Sequence, residues 1–413
     1  FLYSCGTDEK QAFIKENVDF AAAQTDSMIV SLVSPTSIDT IVTRSGDTVI
    51  RERGKYPRTT NAEGKLRITR GNDWTDGFFP GSLWYLYELT GNELWKERAT
   101  AWTLPLENMK MLTSHHDIGF LMYCSFGNAF RLDPKPEYKD ILVQSAESAL
   151  KRYSPVVESI ESWNYRKAWN DTIEWFYPVI IDNMMNLELL FWATKETGDN
   201  KYRDVAIKHA NTTLKNHVRD DYSTFHVVDY DEETGEVKDQ ATCQGFTDNS
   251  TWARGQAWAI YGFTLMYRET QDTTYLHAAQ KLADYFLDHA NLPEDMVPYW
   301  DFHAGVEGYV PEWDYNPAQF PVVPRDASAA AITSSALFEL QGYLTDGKKY
   351  RDAAIKMLHS LASPAYRAPL GQNANFIIMH CVGSIPHKNE IDVPLVYADY
   401  YFLEAMKRYK NLK

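Results

Sequence analysis

The feature that most constrains the fold is a loosely repeated helical hairpin. Four segments share an apolar helix, a short polar break and a second, amphipathic helix: residues 83–99, 189–206, 264–279 and 337–354. Residues 126–149 resemble a degenerate further copy. A helix that is apolar on all sides must be buried, so hairpins of this kind have to stack against one another.

The number of hairpins predicts a closed ring. An N-terminal helix over residues 8–33 and a C-terminal helix over residues 394–409 bring the count to about six pairs. Inner apolar helices surrounded by outer amphipathic ones form the all-α toroid known as the (α/α)6 barrel, with an open solenoid as the alternative. The terminal pairs are no more polar than the middle pairs, which favours the closed ring over a capped solenoid.

Long irregular segments separate the hairpins, over residues 34–75, 241–250 and 291–325. Loops of this length in a compact domain are commonly functional, so we expect them at the active end of the barrel. Residues 225–237 are predicted to form a small β-hairpin, because polar turn residues separate two short strand-like runs.

The first residues are typical of the end of a bacterial lipoprotein signal, in which a Leu lies three residues before a Cys that becomes lipidated. Leu2 and Cys5 have this spacing. We therefore expect residues 1–18 to form an N-terminal tether and residues 19–413 to form one barrel domain. The expected location is periplasmic, with an outer-membrane anchor at Cys5. The alternative is an arbitrary N-terminus containing one Cys, and then a cytoplasmic protein.

Charge and cysteine spacing argue against several classes of protein. The formal net charge of −15 disfavours a nucleic-acid partner, which would select a basic surface. No stretch of the sequence is apolar enough over a sufficient length to span a bilayer. Cys124, Cys243 and Cys381 lie far apart and lack metal-ligand spacing, so we expect buried thiols rather than a zinc site or a disulfide framework.

Two Asp residues stand in apolar surroundings. Asp182 lies within the apolar residues 178–190, and Asp117 precedes the apolar residues 118–122. Burying an ionised carboxylate without a partner is costly, so each Asp must either be paired or hold its proton near neutral pH. Helix capping is the ordinary alternative for one such Asp, but two of them favour an acid/base pair.

Aromatic and polar residues accompany the two carboxylates. A sugar ring has apolar faces and a hydroxylated edge, so its binding sites combine aromatic faces with short polar side chains. Candidates of this type are Trp74, His115, His116, Trp163, His226, Gln244, Arg254 and Trp258. We expect one His of the adjacent pair to pack and the other to orient Asp117.

Arg254 lies in a predicted inner helix among Trp and Ala residues. A buried guanidinium requires an anionic partner. A substrate carboxylate would bind it through two parallel hydrogen bonds. The alternative is a structural ion pair with Asp248 or Glu174.

Several motifs resemble those of one known family. They cover residues 74–81, 116–120, 181–187, 252–258, 326–330 and 390–405. With these motifs the chain resembles the unsaturated glucuronyl hydrolases, glycoside hydrolases with an (α/α)6 barrel, from about residue 19 to the C-terminus. The unsaturated rhamnogalacturonyl hydrolases share that fold and chemistry, but the C-terminal motif favours the glucuronyl branch.

The resemblance implies an activity. The family removes the 4,5-unsaturated uronic acid that polysaccharide lyases leave at the non-reducing end of oligosaccharides, usually disaccharides. It does so by hydrating the vinyl ether double bond, without metal or cofactor. The resemblance implies that Asp182 is the general acid/base and that Asp117 positions it and the sugar. It further implies substrate contacts from these residues: His226, Gln244, Arg254, Trp74, Trp163 and Trp258.

The C-terminal loop departs from part of the family. Relatives that accept sulfated sugars carry two Ser and one Lys there, whereas residues 383–388 offer Ser384 and a displaced Lys388. We include Ser384, Lys388 and His116 in the predicted binding set. The sequence leaves open a rhamnogalacturonyl hydrolase and a non-catalytic glycan-binding surface lipoprotein. It also leaves open hyaluronan, chondroitin, heparin or ulvan as the parent polymer.

Overall fold

The computed structural model describes residues 2–42, 46, 48–169 and 172–412. The side chains of residues 2–7, 41, 42, 49 and 51 lie outside this description, and Cys5 is among them.

The described residues form thirteen α-helices: α1 (Leu2–Leu32), α2 (Phe78–Thr90), α3 (Glu93–Thr103), α4 (Ile118–Met122), α5 (Asn128–Leu132), α6 (Pro136–Leu150), α7 (Leu187–Thr197), α8 (Lys201–Asn216), α9 (Ala253–Thr270), α10 (Thr273–Asp288), α11 (Ala327–Leu340), α12 (Lys348–Leu361) and α13 (Val396–Asn411). A π-helical turn over Tyr123–Gly127 joins α4 to α5, so the two act as one inner segment.

The inner helices close into a ring. In order they are α2, α4–α5, α7, α9, α11 and α13, and each contacts the next, with α13 returning to α2. Helices α3, α6, α8, α10 and α12 pack outside them, and α1 completes the outer layer against α13 and α2. The predicted (α/α)6 barrel is confirmed, and the open solenoid is not formed.

The polar breaks of the repeat contain the residues that cap the helices on either side. Gly91, Gly198 and Gln271 end three inner helices in the left-handed conformation, with φ of 68°, 76° and 58°. Asn92 and Asp272 then cap the following outer helices by accepting a backbone N–H with the side chain. In these two hairpins one residue stops the inner helix and the next starts the outer one, which makes the hairpin tight.

Thirteen short strands lie in the described residues: β1 (Thr36–Val42), β2 (Thr48–Gly54), β3 (Tyr56–Thr60), β4 (Leu66–Thr69), β5 (Tyr153–Ser154), β6 (Ser159–Ile160), β7 (Arg166–Lys167), β8 (Glu174–Trp175), β9 (Pro178–Ile180), β10 (Val227–Tyr230), β11 (Val237–Ala241), β12 (Cys381–Ser384) and β13 (Asn389–Val393). They form small antiparallel sheets in the loops.

The predicted hairpin over residues 225–237 is confirmed as β10 and β11. The sequence did not reveal the third strand of that sheet, β9, which pairs with β10 so that Ile180 opposes Val227. Three apolar residues are too few to separate a buried strand from a buried helix. The strand is important because it ends two residues before Asp182.

The domain boundary predicted between residues 18 and 19 falls inside α1, so residues 2–18 belong to an outer helix rather than to a tether. The reason is an apolar face: Ile14 and Val18 are buried in the core, and α1 contacts α13. Cys124, Cys243 and Cys381 are buried free thiols, as expected. None of the helices in the described ranges has the length and apolar character needed to cross a membrane.

Candidate active site

A cavity of about 200 Å³ opens at the end of the barrel where α4 and α9 begin. The side chains and backbone that line it are Arg58, Trp74, His116, Asp117, Trp163, Arg166, Ile180, Asp182, Cys243, Gln244, Arg254, Gly383, Ser384, His387, Asn389, Glu390 and Tyr397. Eight of the predicted binding and catalytic residues thus meet in one place although hundreds of residues separate some of them. They are His116, Asp117, Asp182, Gln244, Arg254, Ser384, Trp74 and Trp163.

Asp182 lies in the helical turn Ile181–Asn186 between β9 and α7. Asp182 is only 7% exposed, and its Oδ1 has no hydrogen-bonding partner among the described protein groups. Burial raises the pKa of Asp182 to about 7, with Arg254 acting against this and the Asp117 charge adding to it. A carboxyl group in this state can hold a proton at neutral pH and donate it, as predicted.

His226 faces Asp182, with Nε2 lying 3.8 Å from Asp182 Oδ1. Its Nδ1 accepts the backbone N–H groups of Cys243 at 3.0 Å and Gln244 at 3.1 Å. The single proton of the neutral ring is therefore on Nε2, directed at the carboxyl group. Burial lowers the pKa of His226 well below its usual value, so the ring stays neutral. His226 supports Asp182 rather than forming the cavity surface.

Asp117 occupies the position before α4, but its side chain makes no capping hydrogen bond. Instead Oδ2 lies 3.0 Å from His115 Nδ1, and Oδ1 lies 3.3 Å from His116 Nε2. Burial acts to raise the pKa of Asp117, but His116, His115 and Arg152 more than offset it, so that pKa is below its usual value. Both His residues orient Asp117, where one was expected.

The two carboxyl groups therefore have opposite protonation tendencies. The pKa of Asp182 is raised and that of Asp117 is lowered, and each influences the other through their like charges. Two titratable groups with pKa values separated by their environments are the arrangement that divides acid and base roles. The two carboxyl groups predicted from the sequence thus meet at one cavity with pKa values shifted in opposite directions.

Arg254 is buried at the start of α9 and has a partner that the sequence did not indicate. Its Nη1 lies 2.6 Å from Asp326 Oδ2, its Nη2 donates to Gly383 O at 2.7 Å, and it also donates to Val382 O. Asp248 and Glu174, the expected structural partners, are not bound to it. Asp248 accepts the Thr242 N–H instead. Asp326 is better placed because it precedes α11, which packs beside α9.

Two of the three predicted Trp residues form part of the cavity surface, and the third is buried in the barrel. Trp74 and Trp163 line the cavity. Trp258 does not; it is fully buried, with its ring 5.2 Å from that of Phe120 and 5.4 Å from that of Tyr401. It lies one turn after Arg254 on the inner helix α9, which takes it deeper into the barrel, where it acts to lower the pKa of Asp182.

The C-terminal loop contributes Ser384 but not Lys388. Ser384 Oγ lies in the cavity wall, 2.6 Å from His387 Nδ1. Lys388 is exposed and lies 3.2 Å from Asp314, outside the cavity lining. The turn between β12 and β13 directs Lys388 to solvent, away from the cavity lining where the sequence had placed it.

Two cationic residues of the wall were missed by sequence reasoning. Arg166 stacks 4.7 Å over the Trp163 ring, and its Nη2 lies 2.8 Å from His387 Nε2. Arg58 pairs with Glu390 and Asp73, each at 2.5 Å. Both Arg residues come from short loop strands without a motif, and only Glu390 stood in one. Within the described ranges, no group of three or more His, Cys, Asp or Glu side chains is arranged to hold a metal ion.

A model of Glycosyl Hydrolase Family 88 matches residues 48–411, most of the chain. The chain belongs to Glycosyl Hydrolase Family 88.

Relatives of this family 88 chain include an unsaturated glucuronyl hydrolase of Formosa agariphila, 50% identical over 86% of this chain and 85% of that protein. An unsaturated chondroitin disaccharide hydrolase of Streptococcus pyogenes serotype M1 is 33% identical, again over 86% and 85%. A crystal structure of an unsaturated glucuronyl hydrolase specific for heparin superimposes with a TM-score of 0.84 at 39% identity, covering 96% of this chain and 97% of that one.

Family 88 membership confirms the predicted resemblance. The chain is a glycoside hydrolase of the unsaturated glucuronyl hydrolase type, acting on unsaturated uronic acid. The comparisons do not support the alternatives of a rhamnogalacturonyl hydrolase or a glycan-binding protein without activity.

Proposed function

We propose that this enzyme cleaves lyase-generated oligosaccharides by hydrating the C4=C5 bond of the terminal unsaturated uronic acid, with Asp182 as both acid and base. The observation that carries the proposal is the buried, proton-holding Asp182 beside an Asp117 with a lowered pKa, at one cavity with two Trp faces.

The reaction balances without a further reactant besides water. The Asp182 carboxyl group donates its proton to C4, and the ring oxygen stabilises the positive charge that forms at C5. Water adds to C5, and its proton returns to the Asp182 carboxylate. The hemiketal at C5 opens to a ketone, which leaves C1 as a hemiacetal that collapses to an aldehyde and releases the remaining sugar.

The other residues of the site have matching tasks. Asp117 stays ionised and orients the sugar, while the Nε2–H of His226 faces Asp182 at 3.8 Å as a donor for its carboxylate form. Arg254 and Arg166 bring positive charge to the cavity wall, which suits the carboxylate of the uronic acid and any anionic group on the neighbouring sugar. Trp74 and Trp163 offer faces for the sugar rings.

The test uses the substrate's own chromophore. The conjugated double bond of a lyase product absorbs in the ultraviolet, and hydration removes that band. Asp182→Asn should fold normally and lose nearly all turnover. Asp399→Asn is the matched control, because Asp399 is also buried with a pKa raised to about 7 but bonds only the backbone N–H groups of Ile377 and Ile378. Full turnover by Asp182→Asn would contradict the proposal.

For the substrate class we propose disaccharides made by glycosaminoglycan lyases. Support comes from the relatives, since one of them acts on chondroitin disaccharides and one solved structure is specific for heparin. A panel of unsaturated disaccharides from hyaluronan, chondroitin, heparin and ulvan, compared by kcat/KM, tests this. Preference for the ulvan product would contradict this substrate class and indicate a role in the degradation of algal polysaccharides.

We also propose that the enzyme works in the periplasm as an outer-membrane lipoprotein anchored through Cys5. The support is the spacing of Leu2 and Cys5. Metabolic labelling with a fatty-acid analogue should mark the wild-type protein and leave Cys5→Ser unlabelled. Absence of label and recovery from the cytosolic fraction would contradict this location.

A further inference from the structure

Asn186 connects the two segments that carry the catalytic carboxyl groups. It is the last residue of the turn Ile181–Asn186, which contains Asp182, and only 3% of it is exposed. Its side-chain amide crosses to the segment at the start of α4, which contains Asp117. Asn186 does not line the cavity, so it has no place among the groups that contact substrate.

On the Asp117 side, both ends of the Asn186 amide are used. Its Oδ1 accepts the backbone N–H of Phe120 at 3.3 Å, in the first turn of α4. Its Nδ2 lies 3.3 Å from His116 Nδ1. An amide NH2 can only donate, so His116 Nδ1 is an acceptor and the ring proton is on Nε2. That nitrogen lies 3.3 Å from Asp117 Oδ1.

On the Asp182 side, Asn186 Nδ2 also donates to Asn183 Oδ1 at 3.1 Å. Asn183 follows Asp182 directly, and its own Nδ2 donates to Ile160 O at 2.7 Å. The turn that holds Asp182 is therefore tied to the same amide that orients His116.

Gly119 permits this connection. A Cβ added at Gly119 would meet Asn186 Oδ1 at 2.3 Å and Asn186 Cα at 2.6 Å. The backbone of α4 and the turn of Asp182 thus touch at a point where only Gly leaves room for the amide. Two segments in such direct contact hold their side chains at a set distance.

We infer that Asn186 is a positioning residue for the hydration reaction, which fixes the separation of Asp117 and Asp182 and selects the tautomer of His116. This inference rests on the proposed role of Asp182 as the acid. Without the Asn186 amide, His116 is free to reverse its tautomer, and the Asp117 carboxylate then faces a ring nitrogen without a proton on one of its two His neighbours.

The pKa of Asp182 depends on the titratable and charged groups that face it. Asp182 is faced by Asp117 from the start of α4, by Arg254 from α9, by His226 before β10 and by Cys243 after β11. Among these, Asp117 raises the pKa of Asp182 and Arg254 lowers it. Releasing Asp117 weakens the like-charge repulsion, so the pKa of Asp182 should fall.

The experiment compares two substitutions with matched controls. Asn186→Leu removes every hydrogen bond of the amide. Asn186→Asp keeps an acceptor for Phe120 and replaces the donor that faces His116 and Asn183 with an acceptor. Asn128→Leu and Asn128→Asp are the controls, because Asn128 is a buried amide at the far end of the barrel that bonds Cys124 O and Tyr400 Oη. Each variant is measured for Tm, kcat, KM and the pH profile of kcat/KM.

Both Asn186 variants should lose kcat by about 10–100-fold with KM within about twofold of wild type. In Asn186→Leu the basic limb of the profile should move to lower pH. The Asn128 variants should lose Tm without moving that limb. If Asn186→Leu keeps the wild-type limb while Asp182→Asn is inactive, Asn186 is only structural and the inference fails. If Asp182→Asn remains active, the role of Asp182 itself fails. Wild-type kcat in Asn186→Asp would overturn the assigned tautomer.

Discussion

The Nε2 atom of His226 lies 3.8 Å from Oδ1 of Asp182, and neither atom has a hydrogen-bonding partner among the described protein groups. Two backbone N–H groups hold His226 by its other nitrogen, so the imidazole presents a fixed donor to the Asp182 carboxyl group. The distance is too long for a direct bond, which leaves Asp182 free to approach a reacting carbon or a water.

Replacing His226 with Phe keeps a ring of similar size and removes its hydrogen-bonding nitrogens, so it tests whether those nitrogens matter. The Phe ring removes the donor facing Asp182 and leaves two backbone N–H groups without their acceptor, so we expect kcat to fall about 100-fold or more and Tm to fall as well. His217→Phe is the control, since His217 is a buried His that bonds Val179 O outside the cavity. It should lose Tm and keep kcat. Equal kcat in both variants would exclude a catalytic part for His226.

Activity should decline as the pH rises through about 7. In the proposed mechanism the acid form of Asp182 is the reactive one, and burial raises its pKa to about 7. The basic limb of the kcat/KM profile for the free enzyme should therefore report Asp182. It should move to higher pH in Arg254→Gln, because the positive charge that lowers that pKa is removed. A flat profile between pH 6 and 9 would contradict this assignment (both pH values are about one to two units from the pKa).

Asp182→Asn should stabilise the fold in alkaline solution. The folded-state pKa of Asp182 is raised from 3.8 to about 7, so the native state binds its proton more tightly than the unfolded state does. The wild type loses stability as the pH rises between those two values, by up to about 4 kcal/mol, and Asn avoids that loss. Thermal melts should show little difference between the two proteins near pH 4 and a higher Tm for Asp182→Asn above pH 8. The reverse order would show that Asp182 is paired, not buried as an acid.

Arg166 and Lys388 lie in the same region of the protein, but only Arg166 lines the cavity. Arg166 lines the cavity against Trp163 and His387, whereas Lys388 lies outside it beside Asp314. We expect Arg166→Ala to raise KM about tenfold, the loss of one charge-assisted hydrogen bond, with less effect on kcat. Lys388→Ala should leave both constants unchanged. A raised KM in Lys388→Ala would restore the contact predicted from the sequence.

The site was partly predictable, for reasons that differ from residue to residue. Asp182 and Asp117 stand out in the sequence because an isolated carboxylate in an apolar segment is costly to bury, wherever the chain then folds. Arg254 stands out for the same reason, but its partner does not: Asp326 follows it by 72 positions and meets it only because α9 and α11 are neighbours in the ring. Arg58 and Arg166 lie in short strands of the connecting loops, where charged residues are common. The sequence around them therefore does not mark them as site residues.

The sequence alone determined the ring of helical hairpins, because the apolar inner helices and the capping residues of their breaks act over a few turns of chain. It also determined the two acids, through the cost of burying charge. Only the tertiary structure decided which groups surround those acids. His226 and Arg254 reach Asp182 from distant segments, and Asn186 crosses from the turn of Asp182 to the segment of Asp117. The proton affinity of a buried carboxyl group depends on the charges and donors within a few ångströms of it. Such neighbours are set by packing across the barrel, which no local pattern in the chain records.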